Sequence, residues 1–332
     1  MHTDTLLLNQ SVIKSLITYE EANEIIDRTF QGFGNGTVIN PSKVSLDLGE
    51  TGNYPYHQGF MNAMPAYVGF QDIAGQKWVG GFEGKRQEAN LPYITALTFL
   101  IDPNYGNFIA VMDGAYISGM RTGAQTAVAI KYLLKRDKVT IGLYGAGEQA
   151  RNAIKAISAW MSIEHLIVWN HRIETAEQFK KDMQNYAKKI SVVTDGKDAA
   201  QAEVLITLTP AQEPLIQTDW VKPGTIVMPM GSFQEIEDAL ILKADKIIVD
   251  HIDQALNRGA LKSLHDAGKI TDKNIYTTYG ELAVGSASLD TIDNEIIISI
   301  PIGTGAVDVA IAAEIYKKAC EKGLGQTFDF LS

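Results

Sequence analysis

The chain is almost without cysteine. A single residue, Cys320, in 332 excludes an intramolecular disulfide. It is expected as a small apolar residue of the last helix, and a reducing cytoplasm fits that usage. No secretory signal is expected, because Met1-His2-Thr3-Asp4-Thr5 has neither a basic start nor a long apolar core. No run of eighteen or more apolar residues occurs, so no transmembrane helix is expected. Positive charge is in deficit, with 29 Lys and Arg against 39 Asp and Glu and a net charge of −10, which argues against nucleic acid or an anionic membrane as partner. Histidine is scarce. His2, His165, His171, His251 and His265 show no metal-ligand spacing, no Ser-His-Asp order is legible, and no metal is expected. What remains is an ordinary globular composition, 45% hydrophobic and 20% charged, on a chain long enough for two domains.

What is present is a glycine turn in suitable surroundings. The apolar run Val139-Thr140-Ile141-Gly142-Leu143-Tyr144 reads as a buried strand and ends in Gly145-Ala146-Gly147-Glu148-Gln149-Ala150, with helical periodicity from Arg151. Gly145 permits a tight turn, Gly147 a close backbone approach, and Ala150 close packing of helix on strand. The helix N-terminus offers unpaired N–H groups and a positive dipole end to a pyrophosphate. The same pattern without strand and helix would be a common turn; here both are legible.

Around this motif the periodicity changes twice. Thr18-Tyr19-Glu20-Glu21 caps an amphipathic helix expected from Glu20 to about Gly32. Residues 38–118 read as strands of a largely antiparallel sheet, with a hairpin turn at 102–107 and another turn starting at Asp113-Gly114. A helix is expected at 124–135. Apolar strands then alternate with helices at 149–162, 174–188 and 235–243, and 296–300 reads as the last strand. Such alternation predicts a Rossmann-type doubly wound parallel sheet. A long helix closes the chain. The expected fold is α/β: a parallel dinucleotide domain at 121–301, inserted in a discontinuous α+β outer domain of 1–120 with 302–332.

The second strand of such a sheet ends in Asp or Glu when it reads the ribose of NAD(H). Here Asn170-His171-Arg172 stands there. Asn170 suits a ribose or phosphate oxygen, and Arg172 suits a 2′-phosphate, so NADP(H) is expected ahead of NAD(H). The bland reading of Arg172 is a solvated loop residue. Thr207, Leu208 and Thr209 end the fourth strand, where a nicotinamide and its ribose would lie; β-branched strand filling is the alternative. Met230, Gly231 and Gly303 are further expected cofactor contacts. Among the cations of the outer domain, Arg121 stands out, in a Gly/Ser/Thr-rich turn before an Ala-rich helix; Lys43 and Lys77 lie near predicted strand ends. A small carboxylate needs one or two such cations. Asp308 is expected to cap the last helix, and Glu281 to be a solvated loop acid.

Met64-Pro65-Ala66-Tyr67, Gly75-Gln76-Lys77, Ala110-Val111-Met112-Asp113-Gly114, Arg121-Thr122-Gly123-Ala124, the glycine turn, Pro223-Gly224-Thr225 and the stretch from Gly303 to Asp308 occur in one order. On these residues the chain resembles the ornithine cyclodeaminase/mu-crystallin family over almost its whole length. The resemblance implies an outer substrate and dimerisation domain around a Rossmann domain, a homodimer, and hydride transfer between a nicotinamide and the carbon of an amino or imino acid. It implies that Lys77 stands beside the reacting carbon and carboxylate, that Arg121 binds the carboxylate, and that Thr122 neighbours the cofactor phosphates. Lys43 stands where many members carry a second carboxylate-binding arginine, which keeps the charge and loses the fork. Asn170-His171-Arg172 is similar to the NADPH-using mu-crystallin branch. The aspartate that handles the amino groups in ornithine cyclodeaminases has no clean match in Gly231-Ser232-Phe233-Gln234-Glu235-Ile236-Glu237. Ser232 or Phe233 takes its place, with Glu235 or Glu237 as stand-ins. The expected activity is NADP(H)-dependent reduction of a C=N bond in a small imino acid, or its reverse. Ornithine cyclodeamination and a mu-crystallin-type ligand-binding role are the alternatives.

Overall fold

The structure is a computed structural model and describes residues 4–49, 54–231, 233–289 and 292–330. The chain divides into two compact units: Met1–Arg121 with Thr304–Ser332, and Thr122–Gly303.

In the first unit a sheet runs in the order Gln326–Asp329, Asp4–Leu8, Phe108–Asp113, Ile94–Ile101, Ile73–Phe82, Gly59–Val68, Val38–Ile39, with Val44–Asp47 also paired to Gly59–Val68. Its pairs are antiparallel except Asp4–Leu8 with Phe108–Asp113. Period-2 alternation along Ile73–Phe82 buries Lys77 and leaves Trp78 46% exposed on the opposite face. The buried face is covered by the helix Gly305–Lys322, which is apolar nearly all round in its first half. Glycine at 305 is required there, because a Cβ would come within 2.5 Å of the Met64 carbonyl oxygen. Gly323, at φ 62°, ends this helix in the left-handed region. Cys320 belongs to the same helix but is exposed, not an apolar filler. The helix Tyr19–Gly34 packs against it and begins at the expected capping box of Thr18 and Glu21.

The reading of Asp113-Gly114 as a turn is overturned. Asp113 Oδ1 accepts from the Tyr116 backbone N–H at 3.0 Å, an N-cap geometry, and the helix runs Gly114–Leu134 without a break. Arg121 therefore lies two turns inside a helix. The glycines that suggested a loop serve close packing: a Cβ at Gly123 would sit 2.4 Å from the Asn152 carbonyl oxygen on the helix Glu148–Trp160.

The second unit holds a fully parallel sheet in the order Ile190–Val193, Ser162–Trp169, Lys138–Tyr144, Val204–Thr207, Ile226–Pro229, Ile297–Ile300, Lys246–Val249, Thr277–Thr278. Its central strands are completely buried, as parallel strands covered on both faces are. The last strand in sequence, Ile297–Ile300, is not at an edge but between Ile226–Pro229 and Lys246–Val249. The strand order reverses between Lys138–Tyr144 and Val204–Thr207, which is the switch point where such sheets bind ligands. The helices expected at 174–188 and 235–243 are shorter, Ile173–Asp182 and Asp238–Lys243.

Candidate active site

Two groups of candidate residues stand out, one in each unit. In the nucleotide-type unit, Gly145 has φ 101°, which L side chains rarely adopt, and a Cβ there would lie 2.7 Å from the Leu208 carbonyl oxygen. Gly147 is the N-cap of Glu148–Trp160 and makes no side-chain cap. A Cβ at Gly147 would meet no atom within 4 Å, so no protein contact demands glycine at that position. Open space at a helix N-terminus suits a phosphate that must approach the backbone. Glu148 is exposed in the first turn, and the buried Gln149 Oε1 has no hydrogen-bond partner among the described residues. The loop is held from behind by the Arg151 Nη1, which donates to the Ala146 carbonyl at 2.8 Å while the guanidinium lies over the Phe179 ring and pairs with Asp182.

Asn170 is engaged within the protein. Its Oδ1 accepts from the Ala146 N–H at 3.2 Å and its Nδ2 donates to the Arg172 carbonyl at 2.9 Å, tying the glycine turn to the next loop. His171 and Arg172 are exposed, and Arg172, at the N-cap of Ile173–Asp182, caps nothing with its side chain. On the other side of the switch point, Leu208 N–H donates to Tyr144 O and Met230 N–H to Thr207 O. Gly303, at φ 92°, donates to Asp250 Oδ2 at 2.7 Å; the same carboxylate accepts from Ile302 N–H and Gln125.

In the other unit Lys77, 1% exposed, donates from Nζ to Asp308 Oδ2 at 2.7 Å. Arg121 Nε lies 3.4 Å from the same oxygen, and Ser118 Oγ is 3.4 Å from both Lys77 Nζ and Arg121 Nη2. Thr98, the register partner of Lys77, stands beside them on the buried face. A buried lysine is tolerated only when paired. Two cations and one carboxylate leave a net charge of +1. Asp308 Oδ1 and Thr98 Oγ1 are buried with no hydrogen-bond partner among the described residues, so the cluster keeps bonding capacity. Lys43 is half-buried and precedes Val44, whose register partner Ala63 adjoins Met64, the partner of Lys77. It thus lies at the same level of the sheet. Thr122 follows Arg121 on the helix Gly114–Leu134.

Asp308 is where the sequence reading needs correction. It does not cap its helix; Asn40 does, its Oδ1 accepting from Ala306 N–H at 3.0 Å. The available signal was that Asp308 is the only charged residue in 305–313, a stretch otherwise of Gly, Ala, Val and Ile. A lone acid in such a run requires a buried partner. Three other acids also have defined work. Glu281 closes a capping box with Thr278, and the Thr278 backbone N–H holds its carboxyl below the usual value. Glu237 accepts from Thr218 N–H and Oγ1, and that hydroxyl lowers its pKa. Glu235 is completely buried, and burial raises its pKa. Ser232 lies outside the described residues, and Phe233 is exposed.

The chain is 31% identical to the alanine dehydrogenase of Archaeoglobus fulgidus over 331 residues, which cover 98% of this chain and 99% of that one. Its fold matches an archaeal alanine dehydrogenase dimer with bound NAD at a TM-score of 0.91 and 30% identity, covering 99% and 100% of the two chains. It also matches the Delta(1)-pyrroline-2-carboxylate reductase of Thermococcus litoralis in complex with NADH and L-proline, at a TM-score of 0.89 and 28% identity over 97% and 99%. The family model for ornithine cyclodeaminase/mu-crystallin matches residues 3–323. With a parallel nucleotide-type sheet carrying the glycine turn and a buried cation cluster on a second sheet, the chain belongs to the ornithine cyclodeaminase/mu-crystallin family.

Proposed function

We propose that this protein is an NADP(H)-dependent oxidoreductase that reduces the C=N bond of a small imino acid to the amino acid, or runs the reverse oxidation. The observation that carries the reading is the Lys77–Asp308–Arg121 cluster, buried and net positive. That is a receptor for one carboxylate. Arg121 presents the fork, Lys77 a second donor, and Lys43 adds a cation at the same level of the sheet. Fixing the carboxylate fixes the adjacent prochiral carbon. Lys77 Nζ also serves as a local proton relay, with the Asp308 carboxylate balancing one of the two buried positive charges. A protonated iminium already carries its electrophilic charge, so no stronger acid is demanded.

A bound nicotinamide cofactor supplies or accepts the hydride. Gly145, Ala146, Gly147, Glu148 and Gln149 would hold its pyrophosphate, with Thr122 as a further phosphate contact. Asn170, His171 and Arg172 would face the adenosine ribose, where the absence of an acid and the exposed Arg172 favour a 2′-phosphate. Thr207, Leu208, Met230, Gly231 and Gly303 would serve the nicotinamide half. The relatives named for alanine dehydrogenation and pyrroline-2-carboxylate reduction support this reaction class. Cyclodeamination is not favoured, since Glu235 and Glu237 are both bonded inside the protein and offer no carboxylate in place of the missing aspartate. The first unit also exposes Val44, Leu46, Trp78, Leu97, Phe108 and Phe328, an apolar sheet surface suited to a second copy in a homodimer.

The test is loss of 340 nm absorbance with NADPH across a panel of cyclic ketimines, and of 2-oxo acids with amines. At least one carboxylate-bearing member should be turned over. No loss across the panel contradicts the reading.

A further inference from the structure

Glu235 has no role in the reaction outlined above, and its surroundings are unusual. It is fully buried, yet no cation pairs with it among the described residues. Instead it gathers four neutral donors. Oε1 accepts from Thr209 N–H at 2.9 Å and Thr209 Oγ1 at 2.7 Å; Oε2 accepts from Thr207 Oγ1 at 2.6 Å and Gly231 N–H at 2.7 Å. Two of these are backbone groups that can only donate. The Thr209 hydroxyl also accepts from Ala211 N–H at 3.1 Å, which ties this group to the following loop. The two backbone donors, one on each oxygen, favour the carboxylate form, and burial outweighs them to raise the pKa above the ordinary carboxyl value.

The place of these donors matters. Val204–Thr207 and Ile226–Pro229 are adjacent parallel strands on the far side of the switch point, and Glu235 joins the loops that leave their C-terminal ends. Thr209 in turn packs on the glycine turn, since a Cβ at Gly145 would be 2.9 Å from its Cγ2. Gly231 is held so close that a Cβ would fall 2.3 Å from Glu235 Oε2. In doubly wound sheets the first three strands hold the adenosine half of a dinucleotide, and the strand ends across the switch point hold the other half. We propose that Glu235 is a positioning residue for the nicotinamide riboside, acting through Thr207, Thr209 and Gly231, and that its buried negative charge favours the oxidised, positively charged ring over the reduced one. The inference rests on the nicotinamide reading above.

The experiment measures dissociation constants of the purified full chain for ADP-ribose (with its 2′-phosphate), NADP+ and NADPH, by calorimetry and by dihydronicotinamide fluorescence. In Glu235→Gln, ADP-ribose affinity should stay within about twofold, since the glycine turn is untouched. NADP+ should weaken about tenfold more than NADPH, because the lost acceptor affects both dinucleotides alike and the lost charge only the cationic ring. Thr209→Val keeps the charge and removes one donor. It should weaken both dinucleotides by a similar factor, about threefold to tenfold, and leave their ratio at the wild-type value. An unchanged NADP+ to NADPH ratio in Glu235→Gln, or unchanged dinucleotide affinity in Thr209→Val, overturns the proposal. The second result decides even where Glu235→Gln does not fold. Wild-type protein that binds none of the three ligands would instead sink the nicotinamide reading itself.

Discussion

Asp308 and Glu235 are both completely buried carboxylates, one in each unit, and they are treated in opposite ways. Asp308 meets two cations through one oxygen, and its other oxygen has no hydrogen-bond partner among the described residues. Glu235 meets no cation among those residues, and both of its oxygens are taken by neutral donors. The first arrangement is chemically unfinished: its net positive charge suits an anionic group, and the unpartnered Asp308 Oδ1, an acceptor, suits a donor. The second is closed and acts on what its donors belong to, the ends of two strands. Burial alone therefore does not mark a ligand site; the balance of charge and unspent hydrogen bonds does.

That contrast can be broken by removing one charge at a time. Lys77→Met should lower turnover about a thousandfold while cofactor affinity is retained, read by 340 nm rates and fluorescence titration. Near-wild-type turnover would take Lys77 out of the reaction. Asp308→Asn leaves two buried cations facing each other and should cost about 3 kcal/mol of stability in urea unfolding. A change under about 0.5 kcal/mol would mean that the ion pairs are not buried as described. On the nucleotide side, Arg172→Ala should weaken NADPH about twentyfold and NADH less than about threefold, by titration. Equal effects contradict the 2′-phosphate assignment.

The smallest effect separates buried from capping acids. The Glu281 pKa is lowered, first by the Thr278 backbone N–H and further by the Thr277 and Thr278 hydroxyls. Its stabilisation is therefore present above the ordinary carboxyl value and is lost as pH falls through the lower folded value. Glu235, whose pKa is raised by burial, runs the other way: its contribution is present below the ordinary value and lost as pH rises through the raised one. Thr278→Ala should cost about 1 kcal/mol near neutral pH, and the gap to wild type should shrink below the ordinary carboxyl range. A gap independent of pH would show that Glu281 does not work through this cap.

The two units also differ in how far they could be read from sequence. Strand and helix periods in 139–250 are local, so the parallel sheet and its glycine turn were legible before any coordinates. The helix Gly114–Leu134 was not, because Asp113-Gly114 serves an N-cap as readily as a turn and Gly123 is there for helix packing. Lys77 and Arg121 were noticed as cations. Their convergence on Asp308 was hidden, because Lys77 and Asp308 are 231 residues apart and only the folded sheet and last helix bring them together. Glu235 was visible only as a stand-in for a missing aspartate. Its four donors come from segments as far as 28 residues away, which no spacing rule anticipates.

The central claim is that the cation cluster reads a substrate carboxylate. Steady-state rates at 340 nm with NADPH should be compared for a cyclic imino acid and for the same imine ring without its carboxylate. The account predicts that kcat/KM falls at least about a thousandfold when the carboxylate is removed, since the cluster's net positive charge then has no substrate anion to bind. Comparable kcat/KM for the two rings would contradict it.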